Sequence, residues 1–219
     1  AVLSGPRRRR LLQWARDGGA LVIEDDYDAE FRYDRDPVPA LQGLDPDRVA
    51  YLGTASKTLA PALRLAWLVL PPGLAEEAER VKHLLDSGSP PLDQRALARF
   101  LAGGDYDRHI RRMRLVYRRR RDALLQAVAK HLPGLAVEGV AAGIHILLRL
   151  PAGQDDGAVA AVAEEQGVRV APLSRYSISR SSGPGLVIGY GRVTELALDG
   201  ALEMLARAIG QDGIHRLQN

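Results

Sequence analysis

Apolar positions along the chain follow two rhythms. Residues 19–23, 49–52 and 65–70 are short continuous apolar runs of strand length. Elsewhere apolar residues recur at three- and four-residue spacing, as in helices with one buried face. On this pattern residues 7–17 form a helix stopped by Gly18-Gly19, and residues 20–24 form a strand. Two more strands flank the stretch between 52 and 65, the second ended by Pro71-Pro72-Gly73. Helices are predicted over 74–85 and 92–102, separated by Ser87-Gly88-Ser89-Pro90-Pro91. Residues 105–131 read as one long helix ended before Pro133-Gly134. Beyond 134 the spacing predicts strands at 135–137, 144–150, 168–172 and 185–190, and a helix over 155–166 closed by Gly167. A last helix runs over 194–209, with Thr194 and Glu195 suited to its start.

Strand and helix order in the first half predicts an α/β layered domain with a mainly parallel sheet. The second half predicts a smaller α+β domain. The expected division is residues 1–104 and 105–219, with the long helix as the bridge.

Composition narrows the classes. A chain of 219 residues with 46% hydrophobic content suffices for a sizeable core. Cysteine is absent, which excludes disulfides and thiolate metal ligands and suits a reducing, cytoplasmic setting. No apolar run reaches the roughly 18 residues of a membrane span, and no signal-peptide pattern opens the chain. The opening Ala1-Val2-Leu3 lacks an initiator methionine, so the chain reads as part of a longer protein. No histidine pair has metal-ligand spacing, and no glycine-rich nucleotide loop appears. The net charge of +3 is mild. Two arginine clusters, Arg7 to Arg10 and Arg111, Arg112, Arg114 and Arg118 to Arg121, suit either nucleic acid or a solvated helix face. In the second, Ile110, Met113, Leu115, Val116 and Tyr117 form an apolar stripe that favours a packed helix.

Candidate chemistry concentrates in two places. Gly53-Thr54-Ala55-Ser56-Lys57-Thr58 is followed by Arg64, on a connection between two strands. A lysine that forms a Schiff base with a phosphate-bearing aldehyde needs such neighbours: hydroxyls and a guanidinium to hold the phosphate, and an amine for the aldehyde carbon. Upstream, Glu24-Asp25-Asp26-Tyr27 follows a strand, where α/β sheets place ligand contacts. A carboxylate there can pair with a protonated pyridine nitrogen, and a tyrosine two residues on faces the same side. Taken alone, Lys57 reads as a solvated lysine and the acidic cluster as a solvated loop.

Together, the stretches VIEDDYDAEFRY and YLGTASKTLAPALRLAWLVLPPGL resemble the aminotransferase-like domain of MocR-type regulators in the GntR superfamily, within the fold-type I family that uses pyridoxal 5'-phosphate. The resemblance runs over nearly the whole chain and is strongest over residues 20–73. It implies a partial large domain plus a small C-terminal domain. It implies Asp25, rather than Asp26, beside the pyridine nitrogen, because the family pattern is Asp-x-Tyr. Tyr27 then stands near the phenolic oxygen, Lys57 is the Schiff-base lysine, and Thr54, Ser56 and Arg64 surround the phosphate. Ala66 replaces a glycine frequent in the family. For the ligand carboxylate the resemblance offers Arg175, in Pro172-Leu173-Ser174-Arg175-Tyr176, and Arg192, with Arg175 favoured. Val187 stands where many aminotransferases carry that arginine. His145, after Gly143, is either a ligand contact or a structural residue.

The implied function is a ligand-sensing module that exchanges an amino acid or other small amino compound at the Lys57 aldimine. It would act as a homodimer and reach DNA only through a domain outside this chain. The alternative is an aminotransferase in which Lys57 is the base at the substrate α-carbon.

Overall fold

The computed structural model describes residues 3–27, 30–33, 39–139, 143–178 and 183–215. The chain divides into two compact units, Ala1–Glu30 with Arg35–Met113 and Phe31–Asp34 with Arg114–Asn219.

In the first unit, helix α1 (Gly5–Asp17) opens with a proline at its start, where the missing amide costs nothing. Its buried residues Arg8, Leu12 and Ala15 lie four and three apart, so one face is covered. Gly19 closes it at φ 64°, a conformation that suits glycine, and Ala20 donates back to the Ala15 carbonyl at 2.8 Å. Strands β1 (Val22–Asp26), β2 (Val49–Thr54) and β3 (Ala66–Val69) form a sheet in that order. Strands β1 and β2 are parallel, with Asp25 opposite Leu52. Strand β3 returns antiparallel, because the connection from β2 holds only one 3-10 turn, Pro61–Leu63, and no crossover helix. Leu12 and Leu41 pack on Val49, joined by Leu11 and Val22, which places α1 over one sheet face. On that face Gly53 sits opposite Trp67. A Cβ at Gly53 would lie 2.3 Å from the indole, so the residue must be glycine for the ring to lie there.

Helices α2 (Pro72–Asp86) and α3 (Pro91–Ala102) both start at prolines. Neither buries a residue, and Leu84, Leu85 and Leu92 are exposed. Helix α4 (Asp105–His131) carries Asp105 and Asp107 in its first turn and Lys130 and His131 in its last, matching its dipole. It belongs to the first unit as far as Met113 and to the second beyond it.

The second unit contains an antiparallel sheet in the order β4 (Val137–Glu138), β5 (His145–Arg149), β7 (Gly185–Gly189), β6 (Ala171–Pro172). Along β5, buried Ile146 and Leu148 alternate with half-buried residues. Helix α5 (Asp156–Glu165) is capped by Asp155, which accepts from the Gly157 and Ala158 amides. Helix α6 (Glu195–His215) buries Leu198, Leu202 and Leu205. The Tyr33 and Tyr190 hydroxyls both donate to the Gly143 carbonyl, at 2.9 and 2.7 Å, which ties the 31–34 stretch into this unit.

Several element bounds differ from the sequence pattern; the strand expected over 168–172, for one, is only Ala171–Pro172, and the one expected over 135–137 is Val137–Glu138. Strand β1 begins later and runs through the acidic residues to Asp26, because pairing with β2 outweighs the poor strand propensity of Asp. Helix α6 passes Gly210 and Gly213 and continues to His215, since each helical glycine costs only about 1 kcal/mol.

Candidate cofactor site

The β2–β3 connection folds on its own hydrogen bonds. The Ala55 amide donates to the Leu65 carbonyl at 3.0 Å and closes the loop. Thr54 Oγ1 accepts from the Ser56 amide at 3.1 Å, the local turn that a hydroxyl side chain makes with the amide two residues on. The same oxygen lies 2.9 Å from Ser56 Oγ and 3.1 Å from the Leu65 carbonyl. Leu59 donates to the Ala55 carbonyl at 2.8 Å, so Ser56, Lys57 and Thr58 form one helical turn. Lys57 is exposed at its centre, whereas Thr58 is buried. His109 Nε2, from the first turns of α4, stands 2.7 Å from the Thr58 carbonyl.

Arg64 ends the 3-10 turn in the left-handed region, at φ 52° and ψ 29°. For a residue with a Cβ that conformation costs about 1–2 kcal/mol. Ser87 shares it, but as the cap of α2, where helices commonly end this way. Arg64 caps only the short turn Pro61–Leu63, its amide donating to the Pro61 carbonyl at 3.4 Å.

Strand alternation sorts the acidic cluster. Glu24 and Asp26 point to one face. Glu24 accepts from the Leu41 and Gln42 amides at 2.9 and 3.1 Å, and Asp26 accepts from the Tyr51 hydroxyl at 3.3 Å. Burial, with the Asp26 charge adding to it, pushes the Tyr51 phenol well above its ordinary value, so it stays a donor. Asp25 points to the other face, with its cross-strand neighbour Leu52 and therefore with Thr54 and Ala66. Tyr27 lies just past the strand, two positions beyond Asp25, and is partly exposed. Among the described residues no hydrogen bond or ion pair engages the side chains of Asp25, Lys57 or Arg64.

The sequence contains three lysines, Lys57, Lys82 and Lys130. Lys82 pairs with Asp86 at 2.7 Å and Ser89 at 2.8 Å, and Lys130 pairs with both Asp199 oxygens at 2.9 Å. Lys57 alone of the three has no such partner. The donor set is one unpaired amine, two hydroxyls and one guanidinium on a single loop, with a carboxylate on the same sheet face. That chemistry fits a phosphorylated pyridine aldehyde.

The remaining candidates lie in the second unit. Arg175 is exposed on the 3-10 turn Leu173–Tyr176, and Arg192 is exposed past β7. The pairing of β6 with β7 puts the two at opposite ends of β7. Asp156, which the sequence pattern did not single out, holds the Arg175 turn. Its carboxylate accepts from the Ser174 amide at 3.0 Å, the Ser174 hydroxyl at 2.6 Å and the Gly185 amide at 3.1 Å. Burial works to raise its pKa, but these hydrogen bonds together outweigh burial and hold it below the usual carboxylate range. Its one local signal was its place behind Asp155 at a helix start. His145 opens β5 opposite Gly189, and Val187 sits mid-strand opposite Leu147.

Parts of the arginine clusters are structural. Arg8 is buried and donates to the Pro39 carbonyl, Arg120 donates to the Gly191 carbonyl, and Arg121 lies over the Tyr33 ring. Arg7, Arg9, Arg10, Arg111, Arg112, Arg118 and Arg119 are exposed. Among the described residues no group of His, Asp or Glu could hold a metal ion, and no helix is long and apolar enough to cross a membrane.

No family model matches the chain. The chain is 42% identical over 199 residues to YhdI, an uncharacterized HTH-type transcriptional regulator of Bacillus subtilis, covering 89% of this chain and 42% of that protein. It is 38% identical over 190 residues to MocR, the probable rhizopine catabolism regulatory protein of Rhizobium meliloti, covering 85% of this chain and 38% of the relative. Among solved structures it matches kynurenine aminotransferase of Pyrococcus horikoshii, crystallised with PMP, KYN and KYA. That match has a TM-score of 0.88 and 30% identity, over 97% of this chain and 53% of the other. The chain thus spans less than half the length of these two regulators and about half that of the aminotransferase.

Proposed function

We propose that this chain, which shares its sequence with MocR-type regulators and its fold with the fold-type I aminotransferases, is the pyridoxal-phosphate-binding effector part of a transcription regulator. The observation that carries cofactor binding is the β2–β3 loop, which presents Lys57 without a protein partner between the Thr54 and Ser56 hydroxyls and Arg64. The regulator reading is supported by the relatives, which are HTH-type regulators at 42% and, for MocR, a regulatory protein at 38% identity.

When bound, pyridoxal phosphate supplies an aldehyde that takes up amines and a ring that withdraws electrons. Lys57 offers the amine that holds the aldehyde carbon. Thr54, Ser56 and the Arg64 fork hold the phosphate, for which a guanidinium is the best-shaped donor. Asp25 keeps the proton on the pyridine nitrogen, and Tyr27 donates toward the phenolic oxygen. An arriving amino compound would compete with Lys57 for that aldehyde. For the ligand carboxylate the second unit offers Arg175, with Arg192 as the second candidate. DNA contact belongs to a segment outside this chain, and a homodimer in the cytoplasm is the expected assembly.

A second reading, an aminotransferase, is favoured by the match at TM-score 0.88 and 30% identity to an enzyme. There Lys57, once released, takes the proton from the substrate α-carbon. The two readings separate in one experiment on the full-length protein loaded with cofactor. Amino acids are added and DNA retention is followed alongside product formation with a 2-oxo acid. The regulator reading expects altered DNA retention with no sustained product. Steady turnover of 2-oxo acid with DNA retention unchanged would favour the enzyme.

A further inference from the structure

We infer that His109 is a positioning residue for Lys57. This rests on the reading of Lys57 as the cofactor lysine. The imidazole belongs to the first turns of α4, and the carbonyl it meets belongs to Thr58, the residue next to Lys57. At 2.7 Å the contact is a short, strong hydrogen bond. A carbonyl only accepts, so Nε2 carries the proton and the tautomer is fixed by its partner.

The bond is partly buried, with His109 and Phe100 half-buried around it. Thr58 is 4% exposed and Tyr106 is 8% exposed. The Phe100 ring stands 6.4 Å from the imidazole and 6.3 Å, edge to face, from Tyr106. Residues on α3 and α4 thus form an aromatic wall around the place where His109 reaches the loop. Burial also pushes the Tyr106 phenol above its ordinary value.

The loop's other backbone ties are internal, and Tyr106, also on α4, is a second neighbour of Thr58. Ser56 is tied to Thr54, Ala55 to Leu65 and Leu59 to Ala55, all within the stretch from the end of β2 to the start of β3. The His109 contact comes from 51 residues away. It ties the turn to α4 at Thr58, the residue after Lys57, while among the described residues the Lys57 side chain has no hydrogen bond or ion pair to orient it. Without that anchor the turn can rotate about its internal bonds and the amine samples a wider range of positions. An amine that must meet one carbon at one angle loses rate when its base is loosened.

The test uses the full-length protein with His109→Phe, which keeps a ring beside Phe100 but has no donor, and His109→Gln, whose amide nitrogen reaches about as far as Nε2. Two readouts are taken. The first is hydrogen exchange of the peptide spanning residues 56–59 in cofactor-free protein. The second is the rate at which pyridoxal phosphate becomes fixed to Lys57, trapped with borohydride. His109→Phe is expected to speed loop exchange and slow capture roughly tenfold, and His109→Gln to restore both. Equal behaviour of the two variants, or loop exchange unchanged in His109→Phe, overturns the inference. Should His109→Phe fail to fold, His109→Leu takes its place with the same expectations. If the unaltered protein fixes no cofactor at Lys57, the cofactor reading falls, while the exchange readout still decides whether His109 anchors the turn.

Discussion

At Arg64 the proposed role and the backbone conformation pull in opposite directions. Its side chain suits a phosphate, yet its backbone occupies a region where glycine would be more stable. Arg64→Gly should therefore raise stability by about 1 kcal/mol while weakening pyridoxal phosphate binding at least tenfold. Denaturant midpoints and a cofactor titration on the same preparations read both. A variant that binds as well as the unaltered protein would mean that Arg64 does not hold the phosphate. Asp25 makes a related point. It is the one carboxylate of three consecutive acidic residues that backbone amides and tyrosine leave unused. Its neighbours spend theirs on the 39–42 segment and on β2.

At the scale of elements, Asp156 joins three of them: the start of α5, the turn that carries Arg175 and the first residue of β7. Asp156→Ala would strand buried donors and should cost about 2–4 kcal/mol. The pH dependence follows from the direction of its shift. The folded-state pKa is lowered, so the group stabilises the fold above its ordinary pKa and loses that contribution as pH falls through the folded value. The stability gap between the unaltered protein and Asp156→Asn should narrow below about pH 4. A gap that is constant from pH 7 to pH 3 contradicts this assignment.

Elements with strong local signals were legible in the sequence. Helix α4 was readable from end to end because acidic residues open it and Pro133-Gly134 stop it. The Lys57 loop was equally readable, since its residues are adjacent in the chain. The run of β1 into Asp26 was not, because it depends on the parallel partner β2. Nor were the roles of Asp156 and His109, whose partners lie 18, 29 and 51 residues away.

At the scale of the molecule, the two units divide the candidate site residues between them. The proposed cofactor set of Asp25, Tyr27, Thr54, Ser56, Lys57 and Arg64 belongs to the first, and Arg175 and Arg192 belong to the second. The lysine inventory makes the central claim unusually easy to test. Lys82 and Lys130 hold their ammonium groups in ion pairs and serve as internal controls for chemistry at Lys57. The most direct measurement incubates the full-length protein with pyridoxal phosphate, reduces it with borohydride and maps the modified peptides by mass spectrometry. The account predicts a reduced cofactor adduct on the peptide containing Lys57, with Lys82 and Lys130 unmodified and the adduct lost in Lys57→Ala. An adduct spread over all three lysines, or none at Lys57, would contradict it.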